Sequence, residues 1–228
     1  MTPSVPTRVK VWDVPVRLFH WLLLVLVSFS WLSGEEGGGW MEYHAWSGYA
    51  ILSLVLFRIA WGVWGSDTAR FAQFVRGPRI TYAYFRSVVQ GRPEAHLGHN
   101  PLGGWMIASL LAVLLVQAVT GLFGNDDDDF EAPFAHWLDH GTSSLVTTLH
   151  AYNFDLLLAL VVLHVAAVLT HQWLRRDDMI RAMFTGFKAG LPGAAGRIVS
   201  NWRALALFGL TVALVAALLW SSGDASLA

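Results

Sequence analysis

The sequence has no cysteine among its 228 residues. That excludes disulfides, thiolate zinc sites, iron–sulfur clusters and haem attached through thioether bonds. Charge is scarce as well: 14% of residues are Asp, Glu, Lys or Arg, against roughly 25% in an average soluble domain. A chain that is 55% hydrophobic and 13% aromatic is too apolar for disorder. No nucleic-acid partner is expected. The strong metal ligands that remain are nine histidines, with carboxylates and Met behind them. The twelve Trp and thirteen Phe suit aromatic belts at two membrane interfaces.

Five apolar runs, residues 15–33, 47–64, 103–123, 145–173 and 202–220, have the length of about 20 residues that a spanning helix needs. Lipid cannot satisfy free backbone polar groups, so all five are expected to be helices, and the fold all-α and integral to a membrane. The first run follows basic residues as a signal peptide does. It lacks a clear A-x-A cleavage site and has the polar His20 at its start, so it is expected to be retained.

Five spans make six flanking segments, and three of these hold no Lys or Arg. All fifteen basic residues fall at the N-terminus (Arg8, Lys10, Arg17), at or after the end of the second span (Arg58, Arg70, Arg76, Arg79, Arg86, Arg92), or after the fourth (Arg175, Arg176, Arg181, Lys188, Arg197, Arg203). The positive-inside rule then puts the N-terminus in the cytoplasm and the C-terminus outside, in the periplasm if the membrane is a bacterial inner membrane. The outer side is acidic, with Glu35, Glu36, Glu42, Asp126, Asp127, Asp128, Asp129, Glu131, Asp139 and Asp224, and Asp155 near the outer end of the fourth span. Such a surface either keeps the loops soluble or docks a positively charged partner. Calcium at Asp126–Asp129 is a weak alternative, since EF-hand spacing is missing. The loop 65–101 is expected along the inner interface, with Arg70, Phe71 and Phe74 at headgroup level. A short outer helix is expected within 134–145.

Ligating side chains inside a membrane are costly and therefore functional candidates. Four histidines lie in or at the ends of spans: His20 at the inner end of the first, His44 at the outer start of the second, and His150 and His164 on the fourth. The last two are fourteen residues apart, close to four turns, so they share a face at about 21 Å axial separation. His44 matches His150 in depth, and His20 matches His164. Two such pairs suit two bis-imidazole haems in a helical bundle. Zinc is the rival metal, but a structural zinc site wants four ligands and each pair offers two. Arg58 follows His44 by fourteen residues; it either holds a haem propionate or quinone carbonyl, or snorkels to the interface. Arg17 shares a face with His20 and is another propionate candidate. His171, seven residues past His164, is a candidate for a quinone site. His136 and His140 are more simply exposed, and His96 and His99 are not expected to be ligands. Gly48, Gly62, Gly103, Gly104 and Gly121 permit close approach of helices or of a flat macrocycle.

Several motifs together resemble the bacterial cytochrome b561 superfamily, which includes the cytochrome b subunits of nickel–iron hydrogenases. They are Val11-Trp12-Asp13-Val14-Pro15-Val16-Arg17-Leu18-Phe19-His20-Trp21, His44-x-x-x-Gly48, Arg58-x-x-Trp61-Gly62, Ala69-Arg70-Phe71, Gly98-His99-Asn100-Pro101-Leu102-Gly103-Gly104 and Thr120-Gly121-Leu122-Phe123. The resemblance implies a four-helix bundle over residues 1–190 with two b-type haems. It also implies the pairing His20 with His164 and His44 with His150, and electron exchange with a quinone, ubiquinone or menaquinone. The run Gly124-Asn125-Asp126-Asp127 is like that of members thought to work with outer c-type cytochromes. Residues 191–228 depart from the pattern as a linker and a fifth spanning helix without a candidate ligand.

The expected function is a membrane electron conduit between the quinone pool and an outer redox protein, a c-type cytochrome in the leading form. The alternatives are the anchor subunit of a hydrogenase or dehydrogenase, a superoxide:quinone oxidoreductase, and a haem-free transporter or scaffold. The absence of Lys and Arg from the outer face counts against a small anionic substrate such as superoxide. Protons for a quinone are expected from Asp155 or Glu42 at an outer site, or by way of His171 or Arg58 at an inner one.

Overall fold

The computed structural model describes residues 7–92, 96, 98–126, 130–174, 177–190 and 196–223. Five helices are long and apolar enough to cross a membrane: α1 (Val14–Glu36), α2 (Met41–Trp64), α5 (Pro101–Gly121), α6 (His140–Leu174) and α8 (Asn201–Ser221). Between them lie α3 (Phe71–Phe74) and α4 (Pro78–Val89), and α7 (Met179–Thr185) follows α6. β1 (Thr7–Lys10) and β2 (Phe187–Gly190) form one antiparallel pair in the register Thr7↔Gly190 to Lys10↔Phe187. The chain is an all-α membrane protein with this one ribbon added.

The apolar runs set the spans, and two of them start earlier than their runs. α6 starts five residues before its apolar run because Asp139 caps it: the carboxylate accepts the Thr142 N–H at 3.1 Å and the Thr142 hydroxyl at 2.5 Å. α2 starts six residues early, with Glu42 in its first turn, where a helix favours negative charge.

The chain divides into two compact units, and each spanning helix contributes residues to both. The first unit holds Met1–Leu18, Ala60–Ser109 and Val161–Ala204. Asp13 anchors it. Its carboxylate is 1% exposed, accepts the Val16 N–H at 2.9 Å as a helix cap, and accepts the Trp61 indole N–H at 2.9 Å. Nearby, α7 ends at Gly186, whose φ of +86° is the left-handed form that glycine tolerates. The Gly186 carbonyl then accepts the N–H groups of Val11 and Trp12. Arg17 donates to the Phe184 carbonyl at 2.5 Å, and Lys188, 8% exposed, pairs with Asp177 at 2.7 Å. These contacts tie the chain before α1 to the chain after α6. The segment leading into α8 is held likewise: the Arg197 and Val199 N–H groups donate to Asp67 and Ser66 side chains.

One expectation for this unit is corrected. Phe71 and Phe74 do not face headgroups. Phe74 is 3% exposed, and its carbonyl lies so close to Gly104 that a Cβ there would stand 2.4 Å away; Phe71 seals against Gly62 in the same way. These two glycines therefore admit the α3 turn into the protein rather than a macrocycle.

The second unit holds Phe19–Ile59, Leu110–Leu160 and Leu205–Ala228. Its buried cluster joins Tyr49 and Leu52 of α2, Leu122 and Phe134 of the loop after α5, and Val215 and Leu219 of α8. Phe208 of α8 meets Phe57 edge-on at 5.8 Å. The fifth span is thus a packing element here. The loop after α5 is tied to α6 by Ser143, whose hydroxyl donates to the Phe123 carbonyl and accepts from the Asn125 amide. No separate helix fills 134–145: a single 3₁₀ turn at Ala135–Trp137 comes before α6, because Asp139 ends the loop as a cap. His136 and His140 are exposed there.

Candidate functional site

The second unit brings His44 of α2 and His150 of α6 face to edge, with ring centroids 6.0 Å apart and planes at 73°. Two imidazoles that bind one metal from opposite sides through bonds of about 2 Å have centroids about 6 Å apart. The spacing fits one metal between them.

The neighbours decide which nitrogens face each other. His44 Nδ1 lies 2.7 Å from the Ser30 carbonyl oxygen, which can only accept, so Nδ1 carries the proton. His150 Nδ1 lies 3.0 Å from the Thr120 hydroxyl oxygen. That hydroxyl gives its own proton to the Val116 and Gln117 carbonyls, so it too receives from His150. Both rings are Nδ1–H tautomers assigned from this network, which leaves both Nε2 lone pairs for a metal. A ligating histidine is held in this way when its other nitrogen donates to a backbone carbonyl. A second layer stands behind His150: Asn153, one turn further along α6, donates to Gln117 Oε1 at 2.6 Å and to the Val113 carbonyl at 3.0 Å.

Glycine makes the space. A Cβ on Gly34 would stand 2.8 Å from His44 Nδ1, and one on Gly121 would stand 3.0 Å from His150 Cε1. At Gly48, one turn past His44, a Cβ would touch nothing within 4 Å, so the face beside the imidazole is bare backbone. These residues would suit a haem, with His44 and His150 as the groups to hold it. Among the described residues no three His, Asp or Glu side chains converge, so a structural zinc site has no support there.

Of the other expected residues, His20 lies in the second unit, half-buried, its ring edge-on to Trp21 at 5.0 Å. His164 lies in the first unit, half-buried on α6. Arg58 is 2% exposed, so it does not snorkel; a guanidinium so buried on a span needs anionic or carbonyl company. Arg17 is engaged with the end of α7. Asp155 and Glu42 are exposed. The His171 carbonyl accepts the Asp177 N–H as α6 ends. Asp126 caps its own loop by accepting the Phe130 N–H, while Asp127, Asp128 and Asp129 lie outside the described residues.

Sequence reasoning missed Gly34, Ser30, Thr120, Gln117 and Asn153. One signal for Gly34 was present: it follows His20 by fourteen residues, so it repeats that face of α1 four turns on, where a neighbouring ring needs room.

Comparison with known proteins identifies a family. The family model for the prokaryotic cytochrome b561 matches residues 11–186. Three relatives are described as probable Ni/Fe-hydrogenase B-type cytochrome subunits. The one from Cupriavidus necator is 23% identical, covering 78% of this chain and 86% of the relative. That from Azotobacter vinelandii is 24% identical, covering 80% and 89%. The hydrogenase 1 subunit of Escherichia coli K12 is 22% identical, covering 78% and 90%. No solved structure matches. The matched stretch takes in α1, α2, α5 and α6 with all four candidate ligands, and on that footing this chain belongs to the prokaryotic cytochrome b561 family, whose members are b-type haem electron carriers of the membrane.

Proposed function

We propose that this protein is a two-haem electron conduit across the bacterial inner membrane, linking the quinone pool to a redox subunit docked on its outer face. The observation that carries the reading is the His44–His150 pair, spaced for one metal, with both Nδ1 atoms held by helix carbonyls or hydroxyls. His44 and His150 are the proposed ligands of an outer haem. His20 and His164 are the proposed ligands of an inner one, about 21 Å further along α6 by its fourteen-residue step. When bound, the haems supply single-electron carriage.

The chain's own residues do the rest. Ser30 and Thr120 fix the ring tautomers and orientations. Arg58, buried, supplies positive charge for a propionate or a quinone oxygen. Asp155 or Glu42 outside, and His171 inside, are the candidate proton groups for quinone. The distribution of Lys and Arg supports a cytoplasmic N-terminus and a periplasmic C-terminus.

The relatives' names favour a fixed partner, a hydrogenase-like subunit, for the outer electron exchange. A c-type cytochrome is the second reading, supported by the acidic outer segments, which suit a basic, transient partner.

A pyridine haemochrome assay on the purified chain tests the core of this. Two b haems per chain are expected. His44→Ala and His150→Ala should remove one of them, and His20→Ala and His164→Ala the other. One haem, or one haem bleached by both His44→Ala and His164→Ala, sinks the two-pair scheme. Co-purification of a stoichiometric redox subunit from native membranes separates the fixed partner from the transient one.

A further inference from the structure

Between Thr68 and Arg92 the sequence carries five arginines and no carboxylate. Arg70 is engaged with Asp67 and the Gly65 carbonyl, while Arg76, Arg79, Arg86 and Arg92 are exposed. On α4, Arg79 and Arg86 are seven residues apart, two turns, and so stand on one face. Tyr84 on the opposite face is buried. The flank between is open and apolar: Tyr82 is 64% exposed and Val89 71%, with Phe85 beside them.

This flank continues into a cleft of about 320 Å³ between α4 and the start of α5, lined by Pro78, Thr81, Tyr82, Phe85, Leu102 and Trp105. The Thr81 and Trp105 donors are already engaged. The Thr81 hydroxyl bonds to the Arg76 and Gly77 carbonyls, and the Trp105 indole N–H donates to the Arg76 carbonyl at 2.9 Å. The cleft therefore offers hydrocarbon surface, and its rim offers cationic charge. It sits where α5 begins a membrane span, the level at which acyl chains meet headgroups.

We propose that the α4–α5 cleft binds an anionic phospholipid, with an acyl chain against Tyr82, Phe85, Leu102 and Trp105 and the phosphate between Arg79 and Arg86. A guanidinium fork matches a phosphate with two parallel hydrogen bonds. A zwitterionic lipid brings a cation that cancels most of this attraction. A quinone is uncharged, finds the Thr81 and Trp105 donors already engaged, and leaves both arginines without a counter-charge.

Native mass spectrometry of the full chain in mild detergent tests this, titrated with phosphatidylglycerol and with phosphatidylcholine of the same chains. Phosphatidylglycerol should bind more tightly by about 30-fold, about fivefold for each arginine. Arg79→Gln with Arg86→Gln should bring the two lipids level, whereas Arg79→Lys with Arg86→Lys should keep most of the preference. Leu102→Trp should fill the cleft and weaken both lipids without changing haem content. Equal binding of the two lipids by the native chain overturns the proposal, as does undiminished preference in the double glutamine variant. A bound quinone that Leu102→Trp displaces and the arginine variants do not also overturns it.

Discussion

Replacing Gly34 by alanine adds one methyl group to α1, and the structure says where it goes. The new Cβ would stand 2.8 Å from His44 Nδ1, about 0.6 Å short of the 3.4 Å at which ordinary contact begins. The colliding atom belongs to a ring whose Nδ1–H is bonded to Ser30 at 2.7 Å, on α1 itself. A shift of about 0.6 Å takes that bond past about 3.2 Å, the long end of the useful range. Metal–ligand distances tolerate about 0.2 Å, so the same shift would weaken the hold of His44 on a metal in the proposed site. Overpacking of this kind costs about 1–3 kcal/mol, which is about 5- to 150-fold in haem affinity if all of it falls on the bound state. The helix itself gains, since alanine is favoured over glycine by about 1 kcal/mol. Gly34→Ala should therefore insert and keep its helicity while losing or weakening one b haem, with the midpoint potential of that haem displaced. Gly209→Ala on α8, where a Cβ meets nothing within 4 Å, is the matched control and should keep both haems. Redox titration of the reduced-minus-oxidised spectrum reads the result. A Gly34→Ala protein with both haems at wild-type potentials refutes the reasoning.

Three further outcomes are expected. Asp13→Ala removes the acceptor for both Val16 and Trp61 and should lower stability by about 1–3 kcal/mol, seen as an earlier thermal loss of the haem spectrum; an unchanged melt shows that the buried pair contributes nothing. Arg58→Gln should lower the potential of the haem lost on His164 substitution and leave the other in place, because a buried cation favours the reduced state; a rise shows that the charge acts elsewhere. Bonds from the Thr142 hydroxyl and N–H hold the Asp139 carboxyl below its ordinary value near 3.8. The folded state then binds its proton less readily than the unfolded one, so the cap's contribution is full above about pH 4 and fades as pH falls through the lowered value. Hydrogen exchange over the first turn of α6 should speed up on that acidification in the native chain. In Asp139→Ala it should be fast already at neutral pH; a slow first turn in that variant rules out the cap.

What the sequence made legible is what local pattern controls. The five spans follow from apolar length alone, and the His44–His150 contact follows from depth matching along helices. Their ends were less legible, because α2 and α6 run on past the apolar residues under the control of Glu42 and Asp139. The inward turn of Phe71 and Phe74 was missed because an aromatic beside arginines suits an interface equally well; the tight partners are Gly62 and Gly104, distant in sequence. Arg58 could be read two ways until its burial was known, since snorkelling and burial share one sequence. The β1–β2 pair was missed because each run is only four residues and the two lie far apart, although Thr7-Arg8-Val9-Lys10 does alternate in the manner of a strand.

That ribbon sets an order of assembly. During synthesis, Thr7–Lys10 leaves the ribosome first and has no pairing partner until Phe187–Gly190 emerges, by which time α1, α2, α5 and α6 have been made. The carbonyls at Phe184 and Gly186 that Arg17, Val11 and Trp12 engage arrive equally late. The start of α1, which carries His20 one turn further on, is thus latched only once both histidines of α6 are in place. On the proposed assignment, a haem at the His20 end would be held firmly only after the fourth crossing.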